Sequence, residues 1–221
     1  MNPTETKSNP EILPGQRVFI VGGSGTGKTT LAKTILREIP QYYVVIDSKH
    51  EIDGKELGSR KFEYIDTVGD LGKTSPRRSI IYRPDTDEES LDNYEVILDW
   101  VYRRGNTCLY VDETMALGNN ISYPKSLRAI CTRGRTRGVT GIFLSQRPSR
   151  IPVEVMSEAN HFMIFQTSYP VDKKKMQEMI PPGYNDLLEG DNFPSINHYL
   201  YWRNLPRQIP IYRKEKIGNA S

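Results

Sequence analysis

The sequence predicts an α/β fold with a mostly parallel central sheet flanked by helices. Short, near-continuous apolar runs rich in β-branched residues recur along the 221-residue chain, and such runs are typical of strands buried on both faces of a parallel sheet. Helical patterns lie between several of these runs, and this alternation indicates right-handed crossover connections. The six predicted strands are Arg17–Val21, Tyr43–Asp47, Ser79–Arg83, Cys108–Val111, Gly141–Ser145 and His161–Gln166.

Four segments have a helical pattern. Thr29–Glu38 places apolar residues three and four positions apart, and Pro40 stops it. Ser90–Arg104 has the same spacing, and shorter candidates are Tyr123–Thr132 and Pro170–Met179. We expect these helices to cover the sheet.

The length of the chain favours one domain, or one domain with an appendage. Residues 1–15 are mostly polar and contain three prolines, which predicts a flexible N-terminal arm. Residues 16–180 form the predicted α/β domain. Residues 181–221 form a predicted C-terminal extension with short strands at His198–Trp202 and Ile209–Tyr212, either as a hairpin packed on the core or as a strap onto a neighbouring subunit.

Composition excludes several classes of protein. No run approaches 18 uncharged apolar residues, and the first twenty residues lack a basic start followed by an apolar stretch, so neither a transmembrane segment nor a secretory signal is readable. We therefore expect a cytoplasmic protein. Two cysteines, Cys108 and Cys131, do not build a disulfide framework.

The distribution of charge is more informative than the net charge of +3. Between Thr114 and Val153 there is no acidic residue, while seven cations fall there. This basic block indicates an anionic partner, either the phosphates of a nucleotide or those of a nucleic-acid backbone. Its members are Lys125, Arg128, Arg133, Arg135, Arg137, Arg147 and Arg150.

A phosphate-binding motif follows the first predicted strand. The run Gly22-Gly23-Ser24-Gly25-Thr26-Gly27-Lys28-Thr29 fits the P-loop pattern G-x-x-x-x-G-K-[ST] and opens a predicted helix. Its glycines let backbone N–H groups surround an anion, Lys28 reaches the β- and γ-phosphates, and the Thr29 hydroxyl ligates Mg²⁺. With the adjacent Thr30, these residues are the predicted site for ATP and Mg²⁺.

Hydrolysis needs a second, acidic site. Asp112 and Glu113 follow the apolar strand Cys108–Val111. Asp112 at the strand end is expected to hold Mg²⁺, and Glu113, one residue on, to polarise the attacking water.

Two further polar residues end predicted strands. Gln146 follows Gly141–Ser145 and should emerge at the same sheet edge as the P-loop, where its amide senses the γ-phosphate or aligns the water. Its alternative role is to cap a turn before Pro148. Asp47 either touches the nucleotide site or caps the turn into Lys49.

These motifs in this order resemble the HerA/FtsK superfamily of DNA-pumping ATPases. The resemblance rests on the P-loop, the strand ending in Asp112-Glu113, the Arg-Gly-Arg run at residues 133–135, and Ser-Gln-Arg-Pro-Ser at residues 145–149. It covers about Arg17 to Gln166. In its short length the chain is most similar to the genome-packaging ATPases of membrane-containing icosahedral double-stranded DNA viruses.

The resemblance implies a RecA-like (ASCE) P-loop core, a homo-oligomeric ring, most simply a hexamer, and double-stranded DNA passing through it. By the same resemblance Lys28, Glu113 and Gln146 are catalytic. Arg135 matches a Gly-Arg of HerA-like proteins and is the first candidate for an arginine finger that reaches a neighbour's nucleotide, with Arg133 and Arg137 as rivals.

The expected function is ATP hydrolysis coupled to translocation of double-stranded DNA into a preformed viral capsid. Capsid-vertex or membrane proteins are further candidate partners, and the expected location is the host cytoplasm or a virion vertex. The alternatives are a HerA/FtsK-type motor in conjugation, chromosome handling or filamentous-phage export, and, from another class, a nucleotide-gated interaction protein.

Overall fold

The computed structural model describes residues 10–58, 60–75, 77–188, 198–204 and 211–214. Within these ranges nine strands form one sheet in the order β3-β4-β2-β5-β6-β1-β7-β8-β9. The strands are β1 (Arg17–Val21), β2 (Tyr42–Ile46), β3 (Phe62–Ile65), β4 (Ser79–Tyr82), β5 (Thr107–Val111), β6 (Thr140–Ser145), β7 (His161–Phe165), β8 (His198–Arg203) and β9 (Ile211–Lys214). The α-helices are α1 (Lys28–Glu38), α2 (Leu91–Arg104), α3 (Lys125–Arg133), α4 (Val153–Ser157) and α5 (Pro170–Gln177).

The six apolar runs are all strands, so the predicted mostly parallel α/β sheet is confirmed. In the order of the sheet, every neighbouring pair of strands from β3 at the edge to β7 is parallel. Strand β3 was not predicted, because its sequence Phe-Glu-Tyr-Ile lacks a continuous apolar run. Its place beside β4 alone, with Tyr64 exposed, explains the polar residues.

The sheet order determines where the functional side chains meet. β1 pairs with both β6 and β7, and β6 also pairs with β5. All four strands run in the same direction, so the residues after β1, β5, β6 and β7 gather at one edge, here the carboxyl-terminal edge. The opposite, amino-terminal edge carries the residues that precede the same strands.

Helices cover both faces of the sheet. One apolar cluster joins the sheet to α1 through Leu31 and Ile35, and the other joins it to α2 and α3 through Leu98 and Ile130. All four of these side chains are buried. Both faces of the central strands are therefore sealed, which explains their uninterrupted apolar sequences.

The C-terminal strands extend the sheet within the same chain. β8 pairs antiparallel with β7, and β9 pairs antiparallel with β8. Trp202 stacks on Phe162 with a ring separation of 4.3 Å. Both strands thus pair within this chain, and a contact of the extension with a neighbouring subunit stays a prediction.

Parts of the predicted terminal segments, 1–9, 189–197, 205–210 and 215–221, lie outside the described residues. Ile12, within the predicted arm, is buried beside residues of α1. In the described part of the chain, no helix has the length and hydrophobicity needed to cross a bilayer.

Candidate nucleotide-binding site

The P-loop connects β1 to α1 in a conformation that depends on glycine. Gly27 has φ 101° at the N-terminus of α1, in the region that L side chains rarely adopt. A Cβ on Gly22 would lie 2.5 Å from Cβ of Phe165. The N–H of Gly22 donates to the Ser145 carbonyl (3.3 Å) and that of Gly23 to the Gln166 carbonyl (3.0 Å), so the loop is anchored to both neighbouring strands.

Lys28 is almost fully buried inside this loop. Its Nζ donates to the Gly23 carbonyl at 2.6 Å. The pKa of Lys28 is lowered from 10.5 to about 8, chiefly by burial and also by the charge of Lys49, against the opposing effects of Glu113 and Asp112. A desolvated ammonium that lacks a full complement of negative charge attracts a phosphate strongly.

Asp112 and Thr29 meet at the end of β5. Oγ1 of Thr29 donates to Oδ1 of Asp112 at 3.2 Å, and the Tyr110 hydroxyl donates to the same oxygen at 2.6 Å. The carboxylate is buried, and burial followed by the charge of Asp112 raises the pKa of Tyr110 well above its ordinary value. A hydroxyl and a carboxylate oxygen side by side are the hard oxygen ligands that Mg²⁺ takes in P-loop sites.

Glu113 presents an unsatisfied oxygen. Its Oε1 is buried and has no hydrogen-bond partner among the described residues. Its Oε2 lies 3.5 Å from Nζ of Lys49. A buried carboxylate oxygen without a donor is costly, so Oε1 is the atom of Glu113 that remains to accept a hydrogen bond, as a general base must.

Lys49 is a site residue that sequence reasoning missed. Its Nζ lies 3.9 Å from Oδ2 of Asp112 as well as 3.5 Å from Glu113. The turn that carries it is held by Asp47, whose Oδ1 accepts from the Glu51 N–H and whose Oδ2 accepts from the Ile52 N–H.

Asp47 therefore caps this turn, which decides between its two predicted roles. The carboxylate is fully buried and also forms an ion pair with Arg83 at 3.0 Å. A turn signal after a strand was readable in the sequence, but the side-chain direction of Lys49 was not.

A cavity of about 400 Å³ lies at this edge of the sheet. Gln146, at the end of β6, lines it together with the P-loop and Asp112, as expected from the strand order. The lining residues are Ser24, Gly25, Thr26, Gly27, Lys28, Thr29, Thr30, Lys49, Glu51, Asp112 and Gln146.

The residues after Gln146 hold a helix in place. Asp172 of α5 is fully buried. It accepts from Nε of Arg147 at 2.9 Å and from both the N–H and the hydroxyl of Ser149. Arg147 and Ser149 therefore fasten α5 beside the nucleotide cavity.

Arg135 is not brought to this cavity. It lies in the short 3₁₀ turn Gly134–Arg137, which precedes β6, and a six-residue strand spans about 20 Å. Its side chain is exposed and, within the described residues, has neither a hydrogen bond nor an ion pair. Arg137 donates to the carbonyls of Tyr102 and Arg103, while Arg133 stacks on Tyr102.

The basic block does not form one surface. Arg128 pairs with Glu154 at 3.6 Å, and Arg147 pairs with Asp172. Together with Arg137, three of the seven cations make internal contacts. Six of the seven are exposed all the same, Arg147 being the exception.

A family model described as "ABC transporter" matches residues 6–103, a range that contains the P-loop and ends before β5. The DNA packaging ATPase P9 of Enterobacteria phage PRD1 is 26% identical over 197 residues, covering 85% of this chain and 82% of that protein.

Two solved structures share the fold. The genome packaging NTPase B204 from Sulfolobus turreted icosahedral virus 2, in complex with AMPPCP, superposes with a TM-score of 0.67 at 17% identity and covers 92% of this chain and 99% of its own. VirB4 of Thermoanaerobacter pseudethanolicus superposes with a TM-score of 0.63 at 12% identity and covers 90% and 89%. The fold, the P-loop with its acidic pair and the similarity to P9 support the resemblance to viral genome-packaging P-loop ATPases of the HerA/FtsK type.

Proposed function

We propose that this ATPase is a motor that translocates double-stranded DNA and packages a viral genome into a preformed capsid. The observation that supports the catalytic part most directly is the unpartnered Oε1 of Glu113, next to the metal-ligand candidate Asp112. The packaging role is supported by the similarity to P9, which covers more than four-fifths of both chains.

Each catalytic residue has a distinct task in this proposal. Glu113 accepts a proton from a water whose oxygen attacks the γ-phosphorus, while the bond to the β,γ-bridging oxygen breaks and leaves ADP and phosphate. Lys28 and the P-loop N–H groups stabilise the charge on the phosphates. Gln146 lines the cavity from the neighbouring strand and orients the water.

Thr29 and Asp112 are the residues that would hold Mg²⁺. Their oxygens are 3.2 Å apart and belong to a hydroxyl and a carboxylate, and phosphates and waters complete such sites. When bound, Mg²⁺ supplies positive charge that neutralises the phosphates.

Arg135 acts in a neighbouring subunit of a homo-oligomeric ring. At the amino-terminal edge of β6 it is about 20 Å from its own P-loop, too far to contact the same nucleotide. An exposed guanidinium without internal partners suits a contact in trans, where it stabilises the transferring phosphoryl group.

Double-stranded DNA is the proposed substrate of translocation, in the host cytoplasm or at a virion vertex. The alternative motors act in conjugation, chromosome handling or filamentous-phage export; similarity to VirB4 shows a shared fold and does not favour them over packaging. In a nucleotide-gated interaction protein, the buried and unpartnered Oε1 of Glu113 would have no use.

The test is the ATPase rate with and without long double-stranded DNA, with the Lys28→Ala variant as the inactive control. We expect DNA to stimulate the wild type and Lys28→Ala to show no turnover. A folded Lys28→Ala protein with full activity would remove the P-loop assignment. A wild-type ATPase indifferent to DNA, with no DNA binding, would favour the interaction protein.

A further inference from the structure

A second cavity, of about 610 Å³, lies at the amino-terminal edge of the sheet, away from the nucleotide. It is formed where β2 and β4 begin. Four cations line it, together with the exposed Tyr42, and we call it the basic cavity. The four cations are Arg60, Lys61, Arg77 and Arg78.

The sheet register brings these cations together. They form two dibasic pairs that are 16 residues apart in the sequence. In the β3–β4 pairing Phe62 lies opposite Ser79, so Lys61 and Arg78 precede paired positions on adjacent strands. Like charges in this arrangement repel each other and reduce stability, a cost that an anionic ligand would remove.

Internal contacts compensate only part of this charge. Arg60 donates to the Ile39 carbonyl at 2.6 Å, and Arg78 lies 3.6 Å from Glu63. Within the described residues, the side chains of Lys61 and Arg77 have no hydrogen bond or ion pair, and both are exposed. These two cations remain available to a partner.

An aromatic ring and a further cation adjoin this cavity. Tyr42 is 41% exposed, and the guanidinium of Arg104 lies 5.3 Å from the centre of its ring. The Nη1 atom of Arg104 is buried and has no hydrogen-bond partner in the described chain. The surroundings of the cavity are thus positive.

We propose that the basic cavity binds the phosphodiester backbone of double-stranded DNA. The inference rests on the proposed translocation function and names a DNA-contacting surface for it. Three of the seven cations in the block at 114–153 make internal contacts, and the basic cavity adds two exposed cations that have none among the described residues. Lys61 and Arg77 contact phosphate oxygens rather than base edges, which gives binding without sequence preference.

Two double variants test this assignment. Lys61→Ala/Arg77→Ala removes the two available cations, and Lys73→Ala/Lys174→Ala removes the same charge from two other exposed positions. The probe is a 30-base-pair duplex of mixed sequence, and its affinity is measured at several salt concentrations. For the cavity variant we expect the slope of log K against log salt to become shallower by about 1.8, the value for two phosphates. The control should keep the wild-type slope.

ATPase measurements separate this inference from the proposed function. Neither Lys61 nor Arg77 belongs to the nucleotide site, so the cavity variant should keep its basal rate within about twofold and lose most of its DNA stimulation. If wild type and cavity variant bind and respond to DNA equally, the inference is wrong and the DNA-motor proposal stands. If wild type binds no DNA, both are wrong.

Two other polyanions complete the test. Polyglutamate and phosphatidylserine vesicles are offered to the wild type and to both variants. Binding of either that depends on Lys61 and Arg77, with DNA binding unchanged, would overturn the assignment in favour of an acidic protein or a membrane surface.

Discussion

The two edges of the central sheet differ in how far their charged side chains are buried and paired. At the carboxyl-terminal edge, Asp112 and Glu113 are largely buried and lie 3.9 and 3.5 Å from Nζ of Lys49, and the buried Lys28 donates to the Gly23 carbonyl. At the amino-terminal edge, Lys61 and Arg77 are exposed beside other cations. The same fold therefore carries a compact, compensated site at one edge and an open, uncompensated one at the other.

This difference in burial and pairing determines which kind of ligand each edge can bind. Buried charges with fixed partners accept one ligand of defined shape, because each wrong ligand leaves a desolvated group unpaired. Exposed cations on long, flexible side chains can contact the backbone phosphates of DNA of any sequence. Nucleotide chemistry and DNA binding are thus expected at opposite edges.

The strongest test of that separation is Arg135→Ala, because Arg135 lies at the amino-terminal edge yet is proposed to act on a neighbour's nucleotide. We expect ATPase activity to fall about 10³–10⁵-fold. Mixing Arg135→Ala with Lys28→Ala should restore part of it, since some interfaces then combine an intact finger with an intact P-loop. ATPase activity is measured at a concentration where rings form.

Wild-type activity in Arg135→Ala, or an inactive mixture while mixed rings demonstrably form, would contradict this role. Arg133 then becomes the next candidate, because Arg137 already donates to two backbone carbonyls.

The second test concerns the acidic pair itself. Glu113→Gln removes the base but keeps Asp112, so turnover should fall about 10²–10⁴-fold while affinity for ATP with Mg²⁺ changes little. Asp112→Asn should instead weaken Mg²⁺-dependent nucleotide binding. Affinity is measured by titration with a fluorescent ATP analogue. Equal loss of affinity in both variants would show that the two carboxylates share one role.

The third test compares charge removal at the two edges. Asp47→Ala leaves the N–H groups of Glu51 and Ile52 and the side chain of Arg83 without their acceptor. We expect a loss of about 3–5 kcal/mol in the free energy of unfolding, at the lower end because Arg83 is partly exposed. Lys61→Ala should change it by at most about 0.5 kcal/mol. Chemical denaturation measures both. Similar losses in the two variants would remove the contrast between the edges.

The smallest expected effect is a pH dependence at the amino-terminal edge. Burial, and then the charges of Arg203 and Arg213, lower the pKa of His161 to about 4 from 6.5. Below pH 6.5 the unfolded chain binds a proton that the folded chain refuses, so the stability fully present above that pH is lost as pH falls towards 4. We expect a loss of about 2–3 kcal/mol.

His161→Gln provides the reference, because it removes the imidazole and leaves all other titratable groups of the chain unchanged. The free energy of unfolding of the two proteins is compared from pH 7 to pH 4. If the free energy of unfolding falls equally with pH in both proteins, His161 binds its proton equally well in the folded and the unfolded chain, and its pKa is not lowered.

Local signals made much of this molecule predictable. Buried strands read as apolar runs, and the P-loop, Asp112 and Gln146 each follow such a run, so their common edge could be inferred from parallel pairing. Strand β3 could not be found, because an edge strand with an exposed residue such as Tyr64 has no such run.

Features that depend on tertiary register were invisible in the sequence. Lys49 reaches the acidic pair only through the turn held by Asp47. The two dibasic pairs meet only because β3 and β4 align Phe62 with Ser79. The basic block read from the sequence was contiguous in the chain but is divided in space, since Arg128 and Arg147 turn to internal carboxylates.

The position of β1 between β6 and β7 also sets an order of events during synthesis. β1 is complete at residue 21, but its two neighbours end at residues 145 and 165. At about 5–20 residues per second, a ribosome needs about 6–25 s to make the chain from the end of β1 to the end of β6. Until then an apolar strand has neither of its partners, a state in which nascent chains aggregate. A message truncated before residue 140 is therefore expected to yield insoluble or degraded protein rather than a smaller nucleotide-binding domain.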